Sequence, residues 1–193
     1  MRIILASKSP RRKELLSMIT KDFEVIVSGS EEVVNEELKP SEKVIELAKQ
    51  KAEDVYKTIE GTDFVVIGSD TIVVTNEDEI LGKPKDREDA IRMLTTLSNK
   101  THKVMTGVCI IQNKDGNVTE RSFCDIANVH VKEITLEEIE KWLDTGNAWD
   151  KAGAYAIQQE FAIHIDKLDG NYSTVMGFPI HIIYDELKAL KIV

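Results

Sequence analysis

The chain has 193 residues, 42% of them hydrophobic and 31% charged, which excludes wholesale disorder and fits one domain with a sizeable core. Lys and Arg total 25 against 34 Asp and Glu, and the resulting net charge of −9 excludes a broad basic surface for nucleic acid. A local basic pocket remains compatible with that balance.

The first element is a buried strand over Ile3–Ala6. Ser9 then caps a helix, with Pro10 at its first position and Leu15, Leu16 and Ile19 on its apolar face. Phe23–Val27 reads as a second strand and the acidic stretch Glu31–Glu37 as a loop. Ser41 caps a long helix that Gly61 ends, with Val44, Leu47, Ala48, Ala52, Val55 and Ile59 at helical spacing. Phe64–Ile67 and Ile72–Val74 are strand material separated by Gly68-Ser69-Asp70-Thr71. Asp86 and Asp89 open a helix bearing Ala90, Ile91, Leu94 and Leu97. Two β-rich runs, Val104–Gln112 and Val118–Val131, flank a turn with Asp115-Gly116, a hairpin pattern. Thr135 with Glu138 forms a capping box before Ile139, Trp142 and Leu143, and Gly146 ends that helix. A strand over Phe161–Ile165 and a last helix from Pro179 through Leu190 complete the chain. Strands and helices interleave around a hairpin, which predicts an α/β fold with a mixed sheet.

Cys109 and Cys124 lie in apolar stretches and read as buried, reduced thiols. The four histidines show no HxxxH or HExxH spacing, so the common zinc sites have no support. The apolar run at the N-terminus is too short for a signal peptide, and no segment approaches about 20 apolar residues. The expectation is an intracellular, cytoplasmic chain without a membrane span.

Four places carry chemistry. Ser7-Lys8-Ser9-Pro10-Arg11-Arg12 joins a strand to a helix N-terminus, where free N–H groups favour anions. Arg12 stands where a capping box would put Glu; hydroxyls and two guanidinium groups there suit a phosphate. The alternative is a solvated basic turn. Lys51 falls inside the apolar stripe of its helix, where it must either snorkel or meet an anion. Asp70 interrupts apolar strand material, a costly place for a carboxylate unless it is paired, hydrogen-bonded or bound to metal. Carboxylates so placed hold Mg²⁺ or orient a water in phosphoryl chemistry; the alternative is a turn cap. Asp150-Lys151-Ala152-Gly153-Ala154-Tyr155-Ala156-Ile157-Gln158 has small residues for close backbone approach, and Gln158 can read an amide or imide edge of a base; the alternative is a tightly packed turn. Glu32 is a candidate second acidic ligand or part of a solvated acidic loop, Lys83 a candidate phosphate ligand or an exposed turn lysine, and His102 a partner for Thr106 or a phosphate or else a structural residue.

Taken together, these stretches resemble the Maf family of nucleotide pyrophosphatases, along nearly the whole chain. The matching segments are Ser7–Arg12, Glu32, Lys51-Ala52, Gly68–Thr71, Leu81–Pro84, His102–Thr106, Asp150–Gln158 and Asn171–Pro179. Tyr155 and Gln158 resemble the branch that hydrolyses dTTP and UTP, rather than the branch preferring 7-methyl-GTP. The resemblance implies a single Maf-like domain over 1–193, with a mixed, twisted sheet flanked by helices in two lobes around a central cleft. It implies hydrolysis of a nucleoside triphosphate to the monophosphate and pyrophosphate. Asp70 is then the proton acceptor, and Arg11, Thr71 and Gln158 bear on base choice. Ser7, Arg12, Lys51 and Lys83 would bind phosphates, and Asp70 with Glu32 would hold a divalent ion, Mg²⁺ first, with Mn²⁺ and Co²⁺ as alternatives. The family also suggests a homodimer. Two further readings stay open: a nucleotide-binding regulator of septum formation, and a house-cleaning enzyme for inosine-type purine triphosphates.

Overall fold

A computed structural model describes residues 1–27, 29 and 33–193. In chain order the elements are β1 (Arg2–Ala6), α1 (Pro10–Ile19), β2 (Glu24–Val25), α2 (Pro40–Tyr56), β3 (Phe64–Val74) and β4 (Ile80–Leu81). They continue with α3 (Arg87–Leu97), β5 (Lys100–Lys114), β6 (Asn117–Val131), α4 (Leu136–Asp144), β7 (Ile165–Asp169), α5 (Tyr172–Val175) and α6 (Ile180–Ala189). The strands form one seven-stranded sheet in the order β2-β1-β3-β5-β6-β7, with β4 on β3. β1 is parallel to β2 and β3, while β4 on β3 and β7 on β6 are antiparallel. This is the mixed α/β architecture that the interleaved pattern predicts.

The chain forms two compact units, one comprising 1–70, 106–125 and 176–193, the other 71–105 and 126–175. In the first, alternate residues of β1 (Ile4, Ala6) and β3 (Phe64, Val66) present one apolar face to Ala48, Ala52 and Val55 of α2. The approach is unusually close. A Cβ on Gly68 would lie 2.3 Å from the Ala48 carbonyl oxygen, and one on Gly107 would lie 2.3 Å from that of Val44. Two glycines in neighbouring strands therefore let the helix rest its backbone on the sheet. The second unit has its own core, in which α3 and α4 pack Leu94, Leu97, Trp142 and Leu143 with Val129 and Phe161.

Several elements depart from expectation. β3 runs unbroken from Phe64 to Val74, so Gly68–Thr71 lies within the strand rather than in a turn. The long helix is capped at Lys39 rather than Ser41, because Pro40 at the first position presets the helical φ and Glu42 receives the Lys39 backbone N–H at 3.0 Å, and it ends at Tyr56, short of Gly61. The run predicted as a strand at Phe161–Ile165 is a 3-10 turn over Glu160–His164, and the strand follows at Ile165–Asp169. Phe161 is fully buried there, so its apolar character serves an anchor rather than a pleat. The hairpin is as expected, with Asp115 and Gly116 at φ 52° and 82° in a tight turn between β5 and β6. So is the Thr135–Glu138 capping box.

Candidate active site

The first unit carries a polar cluster around the middle of β3. Side chains alternate along a strand, so Gly68 and Asp70 share a face while Ser69 points the other way. Gly68 brings α2 down to backbone contact, and Lys51, next to Ala52 on that helix, meets Asp70 as an ion pair. Both side chains are only 16% exposed. Of the two readings of Lys51, an anion partner is the one realised. Asp70 is likewise a paired strand carboxylate rather than a turn cap.

On the other face, the Ser69 hydroxyl lies 3.0 Å from the Gly107 carbonyl oxygen and 3.1 Å from that of Gly177. Arg12 reaches the same place from the first turn of α1. Its Nε donates to the Gly177 carbonyl at 2.8 Å, and its Nη1 to the Ser69 carbonyl at 2.6 Å. A longer Nη1 contact, 3.4 Å, goes to the Ser7 hydroxyl, which also accepts the Ser9 backbone N–H at 3.2 Å. Ser9 caps α1 by accepting the Arg12 N–H at 3.5 Å. The guanidinium that the basic turn assigned to phosphate is thus also a clasp joining α1, β3 and the segment before α6. Arg11 sits beside it, half-buried. The roles of Ser69 and Gly177 escape sequence reading because their partners are up to 165 residues away.

The second unit holds Thr71, Lys83 and Gln158. Thr71 and Gln158 are half-buried and Lys83 is exposed. The Gly153 N–H donates to the Gly82 carbonyl at 3.0 Å, which ties the turn carrying Lys83 to the stretch carrying Gln158. That stretch is conformationally demanding. Gly153 and Ala154 have φ of 68° and 60°, and Gln159 has φ 67° with ψ −161°, a region nearly confined to glycine. Trp142 Nε1 donates to the Ala154 carbonyl at 2.8 Å, and the Lys151 ammonium donates to the Asn147 carbonyl and to Asp150. Glu32 lies outside the described residues.

Of the readings of His102, the structural one is realised. Its Nε2 lies 2.7 Å from the Tyr155 hydroxyl in the buried core. Burial, with a smaller repulsion from His130, lowers its pKa from 6.5 to about 4. An unfolded chain therefore takes up the proton as pH falls below 6.5 while the folded one refuses it until about 4. We expect stability to drop across that window by about 3 kcal/mol from this group. Urea melts of wild type and His102→Gln between pH 7 and 4.5 check it. The variant's acid limb should be flatter, and parallel limbs would remove His102 as the cause. Burial also holds the Cys109 and Cys124 thiols up at about 11, so both stay thiols at neutral pH; Cys109 is buried as expected, whereas Cys124 is only half-buried.

Among the described residues no group of three or more His, Cys, Asp or Glu could hold a metal ion. Asp70 is a single carboxylate. That is enough for Mg²⁺ when substrate phosphate oxygens and water complete its shell, so the donor set fits that ion type and does not fit a dedicated protein cage. Nor is any helix among the described residues long and apolar enough to cross a membrane.

The fold has a counterpart in the solved structure of the Staphylococcus aureus Ham1 protein. The TM-score is 0.54 at 15% identity, covering 98% of this chain and 100% of that one. The likeness places the chain in the same broad mixed α/β class. The family model described as Maf-like protein matches residues 2–190, and the chain belongs to the Maf family. The dTTP/UTP pyrophosphatase of Lachnoclostridium phytofermentans is 48% identical over 191 residues, which is 98% of this chain and 95% of that protein. The dTTP/UTP pyrophosphatase of Thermoanaerobacter sp. is 47% identical over 188 residues, 97% and 96% of the two chains.

Proposed function

We propose that this chain is a nucleoside triphosphate pyrophosphatase that hydrolyses dTTP and UTP to the monophosphate and pyrophosphate. The observation that carries the reading is near full-length similarity, at 48% identity, to a relative with that activity. The Lys51–Asp70 pair adds a physical reason, since it sets a carboxylate at a fixed place in β3.

Asp70 accepts a proton from the attacking water, whose oxygen bonds to the α phosphorus as the bond to the bridging oxygen breaks. Pyrophosphate is the leaving group. Lys51, Lys83 and Arg12 offset phosphate charge, and Ser7 supplies a hydroxyl at the N-terminus of α1. Arg12 does so from a fixed position, because the Ser69 and Gly177 carbonyls hold its guanidinium. Arg11, Thr71 and Gln158 distinguish the base, Gln158 by offering both a donor and an acceptor to a pyrimidine edge. A divalent ion, Mg²⁺ foremost, would be held by Asp70 with Glu32, and when bound it supplies charge neutralisation at the phosphates.

The test is a panel of nucleoside triphosphates with Mg²⁺, scored for each base. We expect turnover of dTTP and UTP to exceed that of purine triphosphates, with chelation by EDTA abolishing activity and excess Mg²⁺ restoring it. A protein with net charge −9 repels a triphosphate at long range, so the dependence on the ion should be strong. Preference for purines would overturn the role of Gln158. Undiminished activity in EDTA would overturn the metal assignment.

A further inference from the structure

The segment Tyr155–Gln158 is bracketed by left-handed residues, Gly153 and Ala154 before it and Gln159 after it. Such conformations persist in non-glycine residues only where surrounding contacts over-determine them. Two of the contacts here are polar and buried. The Trp142 indole N–H binds the carbonyl of left-handed Ala154, and the Tyr155 hydroxyl binds His102. The aromatic rings also pack together: Tyr155 meets His102 edge-on at 5.3 Å and Phe161 at 5.3 Å, and Trp142 meets Phe161 at 5.5 Å.

As a source of stability this arrangement is poor. It desolvates an imidazole and a phenol within an apolar cluster, and His102 Nδ1 has no hydrogen-bond partner among the described residues. Apolar side chains of the same volume would fill the space at less cost. What directed bonds provide over apolar packing is a single orientation of the backbone. The stretch they orient leads, three residues after Tyr155, to Gln158.

We propose that His102, Tyr155 and Trp142 are positioning residues for base selection, a brace that holds the Ala154–Gln158 backbone so that Gln158 presents its amide in one register. The inference rests on the reading of Gln158 as a base-selecting side chain. It predicts that breaking the brace loosens specificity more than it slows the reaction, because the phosphate-directed residues are untouched.

The test compares kcat/KM for UTP with that for CTP, whose base edge replaces a carbonyl and an imide N–H by an amine and a ring nitrogen. Tyr155→Phe removes the hydroxyl and keeps the ring. It should lower the UTP-to-CTP ratio at least about fivefold, roughly the effect of one lost hydrogen bond, while kcat on UTP stays within about threefold of wild type. His102→Leu should do the same, and His102→Gln, which keeps a partner for the hydroxyl, should retain the ratio. In a Gln158→Ala background, Tyr155→Phe should change the ratio no further. If Gln158→Ala lowers the ratio but Tyr155→Phe leaves it unchanged and merely lowers Tm, the brace is structural and the proposal fails alone. If the wild type does not distinguish UTP from CTP, or Gln158→Ala leaves the ratio intact, the reading of Gln158 fails and the brace falls with it.

Discussion

Asp70→Asn is expected to lower kcat on dTTP about 10³-fold, within the range a positioned general base contributes. The substitution is nearly isosteric, and the amide oxygen still accepts from the Lys51 ammonium, so the contact between α2 and β3 survives. What disappears is the group able to take the proton from water, together with the charge that attracts a divalent ion. KM should change less than kcat, since the residues directed at the phosphates and base remain. Circular dichroism on the variant should show the wild-type fold. Turnover within tenfold of wild type, measured at saturating dTTP and Mg²⁺, would remove Asp70 from the role of proton acceptor.

Gly68→Ala is expected to be strongly destabilising, although it adds a single methyl. The added carbon would stand 2.3 Å from the Ala48 carbonyl oxygen and 2.8 Å from the Ala52 nitrogen, both backbone atoms of α2. Neither can swing aside as a flexible side chain would, so the helix must lift from the sheet. Overpacking of this kind costs about 3 kcal/mol, which for a chain of this size lowers Tm by roughly 10 °C. The displacement also separates Lys51 from Asp70, and misplacement by about 1 Å can cost on the order of 100-fold in rate. Gly82→Ala is the stability control, because a Cβ there meets nothing within 4 Å. Thermal melts should show a large loss for Gly68→Ala and none for Gly82→Ala. Equal melting points for Gly68→Ala and wild type would show that α2 does not depend on contact at Gly68.

The contrast between those two glycines shows what a sequence can disclose. Gly68-Ser69-Asp70-Thr71 reads as a break between strands because Gly and Asp are disfavoured in pleated backbone. In the folded chain each has a partner that the local pattern does not contain. Gly68 meets a helix some 20 residues earlier, and Asp70 meets a lysine on that same helix. Lys51 was visible as an anomaly, a charge inside an apolar stripe, but its partner was not. The hairpin and the Thr135 capping box are local, a few residues wide, and were legible. The clasp of Arg12 on the carbonyls of Ser69 and Gly177 joins three distant segments through backbone atoms, which leave no mark in a sequence. The same holds for His102, whose partner Tyr155 is 53 residues away. The short apolar run Phe161–Ile165 fits a strand and a buried turn equally well by pattern, and in the folded chain it is a turn that buries Phe161.

In the proposed reaction, water cleaves dTTP between the α and β phosphates. Phosphorus NMR of dTTP with Mg²⁺ and the purified chain tests it in one tube. The prediction is the joint loss of all three triphosphate resonances, with growth of a monophosphate signal and the singlet of pyrophosphate. Orthophosphate with a diphosphate pair, the signature of removal of the γ phosphate, would contradict it, and so would a spectrum that does not change.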